Sequence, residues 1–155
     1  MKRIKTALAI VVCFFITTSA RSQTTAEDSI KLVIGRMYTA MRNSDGLNFQ
    51  RCFIDSAKLQ TLSRDKNGGV IIKTDFVGDF AQVINNIPKG AADQRISFDV
   101  VKINGTLAVA WVPYKFYANG QVYYCGVNSI QLIRVNGVWK ILSTLETRNK
   151  DNCGT

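Results

Sequence analysis

The chain has 155 residues, 46% of them hydrophobic, with 20 Lys and Arg against 11 Asp and Glu and no histidine. Without imidazole, Ser-His-Asp and Cys-His nucleophile pairs, histidine metal ligands and the general base most often tuned to neutral pH are all excluded. The net charge of +9 is scattered, with no block of like charges of the sort that marks a nucleic-acid or membrane arm, so a mixed, solvated surface is expected.

Lys2, Arg3 and Lys5 precede an apolar run, Ala7 to Thr17, and the small residues Thr18, Ser19, Ala20 and Ser22 follow it. That order is a secretory signal, expected to be cleaved after Ala20 or Ser22. The run is shorter than the about 20 residues that span a bilayer. A lipoprotein cleavage site at Cys13 is the lesser reading, because that residue lies in mid-run behind the bulky Val12. Cleavage after Ser22 removes Lys2, Arg3, Lys5 and Arg21 and no acidic residue, which lowers the charge from +9 to +5. Residues 1–22 are thus expected to be the signal and 23–155 one exported domain, periplasmic or secreted, with no membrane attachment expected after cleavage.

From Thr25 to Arg42 the apolar residues Ile30, Val33, Ile34, Met37, Tyr38 and Met41 recur at helical spacing, predicting a long amphipathic helix with Tyr38 on its buried stripe. Asn43-Ser44-Asp45-Gly46 ends it, and Leu47 to Phe53 is expected to form a short second helix. The chain then extends from Lys58 to Ser63 and turns at Asn67-Gly68-Gly69 into Val70 to Lys73, a small hairpin. Thr74 is placed to cap a third helix, Asp75 to Asn86, which Pro88-Lys89-Gly90 terminates.

Arg95 to Thr147 is cut by Asn104-Gly105, Asn119-Gly120 and Asn136-Gly137 into four long stretches of strand-forming residues. Asn-Gly suits a two-residue type I′ turn, which needs positive φ at both central positions, so a four-stranded antiparallel meander is predicted. Strands longer than the usual 5 or 6 residues bend with sheet twist into a curved wall. The architecture is α+β, with helices laid across one face of the sheet. Two-residue turns would align Phe98, Trp111, Asn128 and Leu145 in one row of the covered face, beside Val100, Val109, Ile130 and Ser143. The opposite face would carry Asp99, Ala110, Val112, Tyr114 and Thr144; it is apolar enough to suggest a symmetric homodimer through the sheet. A bulge in any strand would shift this alignment by one residue.

Cys52, Cys125 and Cys153 remain after cleavage in a compartment where disulfides persist. Cys125 with Cys153 is the expected pair, provided the tail folds back. Cys52 with Cys153 is the alternative, and three unpaired thiols the third arrangement. The cysteines lack zinc-site spacing and no glycine loop is built for phosphate, so neither metal nor cofactor is expected. What remains is a pocket between helices and sheet for a small, partly apolar molecule, with Tyr38, Trp111, Tyr124 and Asn128 as the expected lining. No catalytic residue is assigned. A histidine-free acid–base enzyme, with Tyr38 as hydrogen-bond donor and Asp55 or Asp99 as base, is a second reading, and a pure association module a third.

The motifs Met37-Tyr38-Thr39-Ala40-Met41-Arg42, Asp45-Gly46 and Cys52-Phe53 resemble the opening of the nuclear transport factor 2-like superfamily. Its members form a cone from a strongly curved antiparallel sheet wrapped around a long N-terminal helix, here with two further helices. Trp111 to Tyr117, Cys125 to Leu132, Gly137-Val138-Trp139-Lys140-Ile141 and Thr147-Arg148 resemble the exported bacterial branch labelled lumazine-binding. That branch more often has His where this chain has Tyr124, and an Asp-Thr-Arg-Arg ending where this chain has Glu146-Thr147-Arg148-Asn149. Against ketosteroid-isomerase-like members, Tyr38 falls at the oxyanion-stabilising tyrosine, but the general-base aspartate position holds Thr61, which cannot abstract a proton from carbon near neutral pH.

Overall fold

The computed structural model of the protein describes residues 21–118, 120–151 and 153. The expected signal lies, up to residue 20, outside the described residues. Helix α1, Arg21–Arg42, buries the stripe its spacing demands: Ile30 and Ile34 are fully enclosed and Met37, Tyr38 and Met41 nearly so. It ends in a Schellman turn. Ser44, at φ 57°, takes the left-handed position; its N–H bonds the Met41 carbonyl and the Asp45 N–H bonds that of Ala40. Asp45 then caps the one-turn helix α2, Gly46–Gln50, by accepting from the Asn48 N–H at 2.9 Å. Gly46 lies against helix α3, Val77–Asn85, where a side chain would collide with the Ala81 carbonyl; its own N–H donates to Asn85 Oδ1 at 2.7 Å.

Seven strands make one curved sheet: β1 Phe53–Arg64, β2 Val70–Phe76, β3 Asp93–Ile96, β4 Val100–Asn104, β5 Leu107–Ala118, β6 Gln121–Val135 and β7 Val138–Thr147. The order is β2-β1-β7-β6-β5-β3, with β4 also on β5. Every pairing is antiparallel except β1 with β7. The α+β cone is as expected, but three local readings are corrected. Phe53 opens a strand instead of closing a helix. Thr74 and Asp75 belong to β2, so α3 starts at Val77 behind Phe76 with no side-chain cap. The first strand of the meander is also broken at Ser97-Phe98-Asp99 into β3 and β4.

The larger correction is to register. The β5–β6 hairpin pairs Ala118 with Gln121 and Tyr117 with Val122, then Phe116 with Tyr124, leaving Tyr123 as an extra residue. On β6–β7, Leu132 pairs with Ile141 but Gln131 with Ser143, leaving Leu142 over. The first turn closes on Asn104 and Leu107, one residue later than expected, with positive φ at Gly105 and not at Asn104. Because side chains alternate faces, each of the two bulges inverts the strand beyond it, whereas the moved first turn shifts partners by two positions and keeps the faces. Trp111 therefore pairs with Val100 and Ser129, not with Phe98 and Asn128, and points outward, 47% exposed. Ala110, Val112, Tyr114 and Thr144, expected outside, are buried on the concave face with Ile130, Leu132, Trp139 and Ile141. Small Ala108 and Ala110 are fully enclosed there with Val112.

Candidate functional site

Between α1, α3 and the concave face lies a cavity of about 240 Å³, walled largely by carbon from Met37 and Met41 of α1, Phe49 of α2, Phe80 and Ile84 of α3, and Phe116 of β5. Helix spacing brings Tyr38 to it, and the row Val112–Asn128–Glu146 brings in Asn128 and Glu146. Asn128 Nδ2 donates to the Tyr38 hydroxyl at 3.1 Å, both groups buried. Asn128 Oδ1 is enclosed and has no partner; so is Gln94 Nε2, from β3. A buried amide atom without a partner is rare in native structures; both atoms belong to residues of the lining, and each is sealed off by the protein around it.

At one end Glu146 Oε1 accepts from Thr61 Oγ1 at 3.2 Å and from Arg148 Nε at 2.7 Å. Arg148 also lies 5.1 Å from the centre of the Tyr124 ring, which stacks on Phe116 with centroids 4.7 Å apart. Tyr114 donates to the Thr147 carbonyl at 2.8 Å and meets Tyr124 edge-on. Burial pushes the Tyr38 hydroxyl far above the ordinary tyrosine range, against the lowering effect of the Asn128 bond; burial raises Tyr124 as well, opposed by the Arg148 charge. Both are therefore neutral hydroxyls at physiological pH.

Of the four residues expected to line the site, the structure brings Tyr38, Tyr124 and Asn128 together and leaves Trp111 on the outer face. The bulge at Tyr123 is the reason. Asp55 and Asp99, the carboxylates considered as base, are both exposed and outside the lining. The carboxylates actually on the lining are Glu146 and Asp75, which sequence reasoning missed as site residues along with Gln94. The Leu142 bulge decides which β7 residues face inward, and that bulge has no glycine or proline to announce it. The Thr61 position does belong to the site, as the hydrogen-bond donor to Glu146.

Cys125 and Cys153 are joined in a disulfide with Cα atoms 5.4 Å apart, and Cys52 is a free, buried thiol. The tail folds back as that bond requires, through mutual backbone hydrogen bonds between Cys125 and Asn149. Among the described residues no group of His, Cys, Asp and Glu could hold a metal ion. A larger groove of about 960 Å³ lies outside the cone between α1, α2 and the start of β7, but it is open and rimmed by Lys31, Arg36, Arg51 and Lys140.

No family model and no curated protein matches the sequence. Solved structures do. An NTF2-like protein of unknown function from Shewanella baltica superposes with a TM-score of 0.65 at 16% identity, over 86% of this chain and 98% of that one. An NTF2-like protein with a cystatin-like fold from Novosphingobium aromaticivorans gives 0.65 at 12% identity, over 87% and 90%. A domain of unknown function with a cystatin-like fold from Nostoc punctiforme gives 0.62 at 20%, over 86% and 80%. The chain has the NTF2-like fold. At these identities the likeness extends to the cone and its helices, and the site must be argued from this chain's own residues.

Proposed function

We propose that this NTF2-like chain is an exported domain that holds a small, partly apolar molecule in its cone, lined by Tyr38, Tyr124 and Asn128. The observation that carries this reading is the cavity itself, about 240 Å³ between the helices and the sheet, walled largely by carbon and lined by the hydroxyl-bearing Tyr38 and Tyr124 with Asn128. Native mass spectrometry of material purified from its own host is the direct test, with retained non-protein mass expected. Ligand-dependent stabilisation of the wild type, abolished in Asn128→Leu, is the second measurement. An empty protein that no small molecule stabilises would sink the reading.

Export is supported by the signal-like residues 1–22 and by the Cys125–Cys153 bond; no described helix is long and apolar enough to cross a membrane. An intact mass starting at Arg21 or Gln23 is expected, and one retaining Met1 in exported material would contradict it. The motif likeness to the branch labelled lumazine-binding supports a place in that branch, which names a branch and not a ligand. We also propose a homodimer through the convex sheet face, where Val100 of β4, Val109 and Trp111 of β5 and Leu145 of β7 stand exposed.

One observation favours an acid–base enzyme as the second reading. Glu146 and the Tyr38 hydroxyl face the same cavity, which would set a carboxylate base opposite a hydrogen-bond donor. The Thr61 and Arg148 contacts already engage Oε1, which favours an orienting role for Glu146. Turnover of an enolisable substrate that is lost in both Glu146→Gln and Tyr38→Phe would establish the enzyme.

A further inference from the structure

The sheet ends differently at its two edges. On one side the edge is split into the short strands β3 and β4, which limits what can pair there. On the other it is β2, seven residues without proline or bulge, paired with β1 on one side and, among the described residues, with nothing on the other. Its Val70, Ile72 and Phe76 are 66%, 56% and 61% exposed. An apolar, open edge of this kind is a template for a further strand, which is why most sheets blunt theirs. The ladder fixes which backbone groups are free. At the hairpin turn the Asp65 N–H donates to the Gly69 carbonyl at 2.9 Å, so by antiparallel alternation Ile71, Lys73 and Asp75 bond inward to Ser63, Thr61 and Leu59. Val70, Ile72, Thr74 and Phe76 then turn their N–H and C=O groups outward, the Phe76 carbonyl excepted, which belongs to α3 as its N-cap.

Charge narrows the partner. Lys73 and Asp75, paired at 3.0 Å, are the charged residues of β2, of opposite sign and on one face. In an antiparallel second copy centred on Thr74, each Lys73 stands opposite the Asp75 of the other chain, at the non-hydrogen-bonded positions where side chains come closest. Ile72 stands opposite Phe76, an aliphatic residue against a ring. The two Thr74 residues exchange both backbone bonds, and each Phe76 N–H reaches the Ile72 carbonyl across from it. Centring on Lys73 or on Asp75 would instead set like charges opposite each other. Centring on Ile72 puts Lys73 against Ile71 and Asp75 against the turn. We propose that β2 joins β2 of a second copy of this chain, antiparallel about Thr74, so that one sheet runs through two molecules. This interface is separate from the one at the convex face. An edge this short buries little surface, in the weak class below about 1,200 Å², so it forms toward millimolar concentration, well above the micromolar range of sedimentation.

The test is nuclear magnetic resonance of the mature, disulfide-bonded protein in the Trp111→Lys background, which removes the convex face from the readout. Between about 0.05 and about 1 mM the backbone amide signals of Ile72, Thr74 and Phe76 are expected to shift with concentration while translational diffusion slows. Thr74→Pro takes away an N–H that β1 does not use, a change that edge strands tolerate, and should abolish both effects. Lys73→Glu and Asp75→Lys each turn two attractive pairs into two repulsive ones and should weaken self-association about tenfold or more. A mixture of those two variants should pair at least as well as the parent, and this carries the test if Thr74→Pro does not fold. Signals of β2 that stay fixed with concentration, association that survives Thr74→Pro, or charge variants that pair as well alone as mixed would each overturn the proposal. So would an unrelated alternating apolar peptide that moves the same amides where the chain's own concentration does not, which would assign the edge to a foreign strand.

Discussion

Tyr38 and Asn128 stand 90 positions apart and meet through one hydrogen bond inside the cone. Removing one partner strands the other. Tyr38→Phe leaves both polar atoms of the Asn128 amide unpaired in a buried place, at a cost of about 1–3 kcal/mol. Asn128→Leu removes an amide that is only half satisfied and should cost less. The double variant should lose well under the sum of the two single losses, a coupling measurable by urea unfolding of all four proteins; strict additivity would mean that the bond contributes nothing. Tyr38, Tyr114 and Tyr124 are all raised above the ordinary 10, in each case chiefly by burial. A raised folded value contributes stability that is complete below pH 10 and is lost as pH climbs toward the folded values. Alkaline titration should therefore show tyrosinate absorbance from these three only together with unfolding, and Tyr38→Phe should shift that unfolding to higher pH relative to its stability at neutral pH. Tyr38 was legible from helical spacing alone. Glu146 was not, since its side of β7 depends on a bulge four residues earlier.

Among the described residues, the C-terminal tail is the segment held by a disulfide. Cys125 and Cys153 are separated by 28 positions, and closing a loop of that length is worth about 3–4 kcal/mol in the chain-entropy account. The paired variant Cys125→Ser/Cys153→Ser should lose about that much in calorimetric or denaturant unfolding. It should also loosen Arg148, one residue before the Asn149 bridge to Cys125, and with it the Glu146 contact at the cavity. Gly126 is a second fixed point of this region. A Cβ there would run into the Thr147 backbone carbonyl, to which Tyr114 donates, while the Val127 N–H bonds Thr147 Oγ1 at 3.1 Å. Gly126→Ala should cost about 1–3 kcal/mol by overpacking, read as a lowered unfolding midpoint. Most elements were legible because each has a local cause: the stripe of α1, and the Asn119-Gly120 and Asn136-Gly137 turns. The misread start of α3 has a local cause as well. Thr74 and Asp75 look like the opening of a helix, but their pairing with Gln60 and Leu59 holds them in the sheet.

For the whole molecule, the bulges decide what faces the world. They turn Trp111, Val109, Val100 and Leu145 outward into one apolar patch, which the proposed homodimer would cover. Trp111→Lys should then abolish the dimer in sedimentation equilibrium while changing the unfolding of the monomer little, since an exposed ring loses little burial; a wild-type chain that is monomeric at all concentrations would remove the proposal. Composition and local pattern determined what needs no knowledge of distant partners: the exclusion of imidazole chemistry, the α+β order, the long buried helix and the meander of bent strands. Tertiary structure alone decided the parallel joining of β1 to β7 and the inward row of Val112, Asn128 and Glu146. The physical reason is the two-residue period of a strand. One extra residue, such as Tyr123 or Leu142, reverses every side chain beyond it, and where that residue is placed depends on which face packs best against helices far away in the sequence.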